Sequence, residues 1–497
     1  MNKAHTFCTA LLFCGLVQGS PALRGDSTTL TILHINDFHG WLLPPPSGPG
    51  KPEVGGLAHL AAEVKKERTL MTLFLAGGDL MQGSNLSNLN LGRPVIEALN
   101  LMGLDASAVG NHELDFGLDV LRARAVEARF PFLAANIKGS DIWSASVVRQ
   151  VGPVRVALFG LTTTETPVAT HPRNVAGLTF LQPDEVAKEM VAKLRSEADI
   201  VVLLSHLGFD EEEKLAAAVP GIDVIVGGHS HTRIETPVRV GDTLVLQAYE
   251  KGKCLGRLDL KLDGTRVVGH DYRLIPITPE SGSDEAVAEL VEHYRRGLDQ
   301  KLSERVGSAT VELVGDVERV RSGETNLGDL IADIIRNASG ADVAIMNGGG
   351  IRSSIPAGVV TVGAVYNVLQ FDNYILSVSL SGREMRQALE VGVGRVEMRD
   401  GGFPQVSGLA FTFDRRAPAG QRVRDVTVGG KPLEEGCQYV VATNDFLAAG
   451  GNDYTMFVGR EPIFNDSGRY LRDVVIDYWR QKGKIDQATD GRISEVK

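Results

Sequence analysis

Leu30-Thr31-Ile32-Leu33-His34-Ile35-Asn36-Asp37-Phe38-His39 is the stretch on which the fold turns. Leu30 to Ile35 reads as a buried strand, and a carboxylate and an imidazole follow it closely. The arrangement recurs. Leu70 to Ala76 precedes Gly78-Asp79, a further apolar run precedes Gly110-Asn111-His112-Glu113, Ile200 to Leu204 precedes Ser205-His206, and Val224 to Val226 precedes Gly228-His229-Ser230-His231. Strands lying side by side would bring all these polar groups to one edge of one sheet. Carboxylates and imidazoles gathered without matching basic residues need a cation, so the set predicts a metal site and metal-assisted hydrolysis.

Working outward, Val154 to Leu161 is a further strand, and helical patterns fill the gaps: Pro94 to Met102, Leu118 to Arg129, Asp184 to Ala198 and Glu211 to Ala218. The alternation predicts an α/β layered fold, in which ligands gather at the carboxyl ends of strands. Ser281-Gly282-Ser283 ends the first unit. From Asp284 to about Glu304 the residues Val287, Leu290, Val291, Tyr294, Leu298 and Leu302 form one apolar stripe, which predicts a linker helix. A second α/β unit follows, with a strand at Thr310 to Leu313, a helix at Leu327 to Asn337 and a strand at Val343 to Met346. Leu43 to Gly50, rich in proline, reads as a loop.

At 497 residues the chain exceeds one core, so two domains are expected. A net charge of -11 disfavours a nucleic-acid polymer as partner. Residues 1–22 read as an export signal: Lys3 and His5, an apolar stretch from Phe7 to Val17, then Gly19, Ser20, Pro21 and Ala22. Phe13 before Cys14 argues against a lipoprotein. No second long apolar run offers a stable membrane anchor once the signal is removed, so the expected location is periplasmic or extracellular. Outside the signal only Cys254 and Cys437 remain, read as two isolated thiols.

Asp37 and His39, two apart on extended chain, can chelate one ion, and His229 and His231 repeat that spacing. Asp79 can bridge two ions, and Asn111 and His206 complete the set. These seven ligands suit two divalent ions sharing a carboxylate, with zinc, manganese, iron and cobalt all compatible. Taken singly, Asp79 reads as a turn residue, His206 as a core histidine and Asp115 as a helix cap; only their company outweighs this.

The motifs Asp37-x-His39, Gly78-Asp79, Gly110-Asn111-His112-Glu113, His206 and Gly228-His229-x-His231 resemble the calcineurin-like metallophosphoesterase superfamily, and their flanks resemble its 5′-nucleotidase branch. The resemblance implies a four-layer β-sandwich flanked by helices over residues 28–280, a linker helix over 281–305 and an α/β substrate-binding domain over 306–497. It implies one metal on Asp37, His39 and His231, another on Asn111, His206 and His229, and Asp79 between them. His112 would face the phosphate and Asp115 would orient it.

In the second half, Asn347-Gly348-Gly349-Gly350-Ile351-Arg352 follows a strand; its glycines would expose backbone amides, and Arg352 can fork onto a phosphate. By the resemblance, Arg321, Asn347, Gly349 and Arg352 touch substrate, and Phe371 and Phe446 sandwich a nucleobase. The chain departs from the family at Gly450-Gly451-Asn452-Asp453, leaving Asn452 and Asp453 as alternatives for the ribose, and at Gln370 in place of a proline. The expected activity is hydrolysis of 5′-nucleotides, with UDP-sugars as further substrates. The alternatives are a 2′,3′-cyclic phosphodiesterase/3′-nucleotidase, a sulfur-ester hydrolase and, from a different class, a non-catalytic nucleotide- or metal-binding protein.

Overall fold

Strands with no polar face must be covered on both sides, and this dictates the layering of the first half. The computed structural model describes residues 28–45, 52–298 and 302–496; the expected export signal and most of the proline-rich loop lie outside the described residues. One sheet has the order Arg266–Pro276, Cys254–Asp263, Thr28–Ile35, Thr72–Ala76, Ala106–Ala108, Phe132–Leu133. A second has the order Val238–Val240, Thr243–Leu246, Val224–Val226, Ile200–His206, Val154–Thr162, Ser146–Val151. The central strands of both are parallel.

Alternating side chains make the layers. Leu30, Ile32, Leu73 and Leu75 of the first sheet meet Val156, Leu158, Val202 and Leu204 of the second. Leu33, Ile35 and Phe74 point the other way, onto Leu57, Leu60, Val95 and Leu99 of two helices. Phe159, Val201 and Leu203 likewise cover Val186, Leu194 and Leu215. The result is helix, sheet, sheet, helix.

This corrects the expectation of a single sheet edge. The strands leading to Asp37, Asp79 and Asn111 belong to the first sheet, and those leading to His206 and His229 to the second. Periodicity shows that both faces of a strand are apolar, but not whether its partner lies beside it or across from it.

The linker helix spans Glu285–Arg296, capped by Asp284, whose Oδ1 accepts the Val287 amide at 3.2 Å. Val287 and Val291 are buried in the helical layer of the first half, with Leu290, Tyr294 and Leu298 beside them. Leu302 instead packs into the core of the second half, so the chain crosses between cores here. Residues 299–301 of the expected helix lie outside the described residues.

The second half holds a five-stranded sheet in the order Pro404–Ser407, Val343–Asn347, Gln438–Asn444, Tyr374–Ser381, Phe464–Tyr470. Helices Asn326–Ser339 and Leu471–Lys482 cover one face, and Gly382–Val393 covers the other. The strand expected at Thr310 to Leu313 is displaced to Arg305–Ala309. Val306 and Ala309 face the core there, whereas Val311 is exposed and Leu313 makes only an isolated bridge to Ile355. Cys254 is buried, Cys437 is exposed and both are free thiols.

Leu75 is fully buried between the two sheets. Leu75→Ala is expected to destabilise the protein by about 2–5 kcal/mol, read as a lower urea midpoint at constant slope.

Candidate metal centre and anion cleft

Beyond the strand ends the backbone turns sharply, and five of the seven candidate ligands adopt positive φ: Asp37 (48°), His39 (49°), Asp79 (54°), His229 (76°) and His231 (53°). Such strain persists only where the surroundings over-determine it. The Asp37 amide donates to Gly78 O at 3.0 Å, and the His39 amide to Asp79 O at 2.9 Å, so two ligand loops pair as strands would. Glu113 ties in a third loop: its carboxylate accepts the amides of Asp79 (2.8 Å), Leu80 (2.7 Å) and Gly110 (2.7 Å). Burial and the charge of Asp79 raise its pKa to about 7. At Gly110 an added Cβ would lie 2.1 Å from Asp79 Oδ1, so only glycine lets these loops approach.

The seven residues converge. Asp37, His39 and His231 form one group whose donor atoms lie within 4.8 Å of one another, and Asp79, His206 and His229 form another. Asp79 Oδ2 stands 3.1 Å from His206 Nε2 and 3.9 Å from His39 Nε2, between the groups, while its Oδ1 accepts the His112 amide at 2.9 Å. Asn111 Oδ1 lies 3.1 Å from His229 Nδ1.

The outer nitrogens of three rings are committed. Nδ1 of His39 donates to Gln82 O (3.0 Å), Nδ1 of His206 to Gly77 O (2.7 Å) and Nδ1 of His231 to Glu250 (3.1 Å). Each Nε2 therefore faces inward, as in metal-bound histidines. Nε2 of His39 and His231 stand 3.1 Å apart, too close for two lone pairs without a proton or cation between them. His206 Nε2, fully buried, faces only the Asp79 carboxylate at 3.1 Å, outside good hydrogen-bond geometry. Buried nitrogens crowded on one another and on a carboxylate fit divalent cations.

The electrostatics agree. Against the effect of burial, Asp79 and Asp37 hold His206 up at about 10. Asp37 and Glu250 likewise hold His231 at about 9. Burial and neighbouring His206 push His229 down to about 4, and burial lowers His39. Carboxylates thus raise some rings, while burial and the charge of neighbouring imidazoles lower the adjacent ones.

His112 Nδ1 lies 2.5 Å from Asp115 Oδ2, and the Thr170 hydroxyl donates to Asp115 Oδ1 at 2.5 Å. Asp115 and Asp79 raise the His112 pKa against burial. Asp115 does not cap the helix that follows: Leu118–Glu127 begins at Gly117 with no side-chain cap.

From the second half, Arg352 points at this centre. Its side chain makes no hydrogen bond or ion pair among the described residues, and it feels the charges of Asp115, Asp79 and Glu250. Arg321 Nε is buried without a partner; burial and Arg352 push its guanidinium down to about 9. Two underpaired guanidiniums side by side call for an anion. The glycine run does not expose all its amides as expected: Gly348 donates to Phe403 O (2.7 Å) and Gly349 to Gly401 O (2.8 Å), so these glycines permit close backbone crossing. Asn347 donates to Asn452 Oδ1 at 3.1 Å, while Asp453 pairs with Arg395 at 2.5 Å.

Phe371 stacks on His112 with ring centres 6.1 Å apart, and Arg352 lies 5.8 Å from the same ring. Phe446 covers Gly451, and no ring contact joins it to Phe371 among the described residues. Sequence reasoning missed the positioning groups Gln82, Glu250, Glu113 and Thr170. Glu113 alone stood inside a quoted motif; the others come from segments without a pattern.

A buried cluster of imidazoles and carboxylates, faced by underpaired guanidiniums, defines a metal-dependent phosphoric ester hydrolase. Comparison with known proteins agrees. The model for calcineurin-like phosphoesterases matches residues 30–233, and that for the 5′-nucleotidase C-terminal domain matches residues 305–459. The chain is 31% identical to the trifunctional nucleotide phosphoesterase protein YfkN of Bacillus subtilis over 94% of its own length, spanning 35% of that longer protein. It is 30% identical to protein UshA of Yersinia enterocolitica, covering 92% of each. The crystal structure of a 5′-nucleotidase precursor from Thermus thermophilus superposes with a TM-score of 0.88 at 34% identity, covering 94% of this chain and 99% of that one. The chain belongs to the 5′-nucleotidase family.

With pKa values held up at about 10 and about 9, His206 and His231 would have to give up protons to hold a cation. Metal binding at pH 7.5 is therefore expected to release about two protons, and apparent affinity to rise with pH. Calorimetry in buffers of different ionisation enthalpy measures this.

Proposed function

We propose that the protein is an exported hydrolase that splits 5′-nucleotides into nucleoside and phosphate, with two divalent cations. Asp37, His39 and His231 would hold one, Asn111, His206 and His229 the other, and Asp79 both. Residues 28–280 form the metal-binding domain, 281–305 the linker and 306–497 the substrate domain, with residues 1–22 as the export signal. Among the described residues no helix is long and apolar enough to cross a membrane.

The observation that carries this reading is Asp79, set between two donor groups and faced by Arg352 from the other half. Bound cations would polarise the phosphoryl oxygens and acidify an attacking water. The chain's own residues do the rest. Arg352 and Arg321 bind the phosphate oxygens. His112, kept cationic by Asp115, stabilises charge on the phosphoryl and leaving oxygens. Phe446 offers a stacking face for the base, and Asn347 with Asn452 offers amides to the ribose. The tie of Asp453 to Arg395 favours Asn452 in that role.

Turnover of AMP and UDP-glucose, after chelation and then with manganese, zinc or cobalt added back, tests the reading. Activity is expected only with metal; equal activity without it refutes the mechanism, and preference for 2′,3′-cyclic or 3′-nucleotides or a sulfur ester in the same panel replaces the substrate class. His112→Asn should lower kcat by about 10²–10⁴ with metal content unchanged by elemental analysis. Phe446→Ala should raise KM for nucleotides about tenfold and leave a small aryl phosphate nearly unaffected.

A further inference from the structure

One contact between the halves stands apart from the metal centre. Asp445 is 3% exposed, and its Oδ1 accepts the Tyr374 amide at 3.2 Å. Its Oδ2 is buried without a hydrogen bond and faces His171 Nε2 of the first half at 3.3 Å. That nitrogen also lacks a hydrogen bond. His171 Nδ1 accepts the Arg173 amide at 3.3 Å, which places the ring proton on Nε2, toward the carboxylate. Two dehydrated groups thus wait on each other, a few tenths of an ångström beyond a good charge-assisted bond.

Both ends of the contact reach the site. His171 lies between Thr170, whose hydroxyl donates to Asp115 Oδ1, and Asn174, whose side chain donates to Asp115 O at 2.8 Å. The segment carrying His171 therefore holds Asp115 at two points, and Asp115 holds His112. On the other side, Asp445 immediately precedes Phe446 and opens the short helix Asp445–Ala448. Asn444, which caps that helix, also donates to Asn347 at 2.9 Å. Close by, Glu165 faces Arg395 at 3.9 Å across the same boundary.

We propose that His171 is a positioning residue: by bonding Asp445 it couples docking of the nucleoside-binding half to alignment of the His112–Asp115 pair. The inference rests on the phosphohydrolase reading above. A nucleoside seated against Phe446 draws Asp445 onto His171, and Thr170 and Asn174 then fix Asp115. A phosphate ester without a nucleoside does not load that half and depends less on the contact.

The test compares His171→Ala, Asp445→Asn, the double variant and His171→Gln, which keeps a donor, in metal-loaded enzyme. Each single variant is expected to lower kcat for AMP about tenfold, with KM and Tm little changed, and aryl phosphate turnover less than about threefold. The double variant should lose no more than either single one, and His171→Gln should recover part of kcat. Losses that multiply in the double variant, or that are equal on both substrates, overturn the proposal. If the wild type fails to hydrolyse AMP, the functional reading falls; the contact is then judged by small-angle scattering without substrate. There both single variants should enlarge the radius of gyration alike, and no change overturns the coupling.

Discussion

Asp79 must remain ionised where almost no water reaches it. Its carboxylate sits at the meeting of two apolar sheets, 1% exposed, and burial works against its charge. His206 and His112 overcome that and hold its pKa well below the usual carboxylate range. Everything around it serves this condition. Ligand loops pair past the strand ends, Glu113 collects their amides, and five left-handed residues aim their side chains inward. Apolar sheets lower the local dielectric and so strengthen every interaction of the cluster. The same environment makes the uncompensated charge costly, which is why the cluster suits cations.

The second half supplies what the first lacks. The side that carries the candidate ligands is rich in carboxylates and histidines, and Arg352 and Arg321 face it from loops of the second half with little charge compensation of their own. An anion between cations and guanidiniums would relieve both. Placing the two requirements on separate halves joined by one helix makes a complete site depend on how those halves meet. The contacts at that boundary, His112 with Phe371 and His171 with Asp445, join groups from opposite sides rather than surface side chains in water.

Much of this was legible along the chain. The strands before Asp37, Asp79, His206 and His229, and the stripe of the linker helix, appear where their periodicity places them, because burial of one or both faces is written locally. The seven clustered residues were legible through their company: two pairs two apart, Asp37 with His39 and His229 with His231, and three single donors each near the end of an apolar run. The second half was harder to read. Its strand at Arg305–Ala309 lies beside the expected one, since Val306 and Ala309 are matched to a distant helix, Leu471–Lys482, rather than to their neighbours.

By itself, the sequence determined most strands of the first half and which residues carry donor types suited to a cation. Tertiary structure decided that the ligand strands divide between two stacked sheets, that Glu113 and Glu250 steady the cluster, and that Gly348 and Gly349 serve backbone crossing instead of exposure. The reason is physical. Local pattern records whether a side chain is buried, whereas the identity of the group that buries it depends on contacts between residues far apart in the chain.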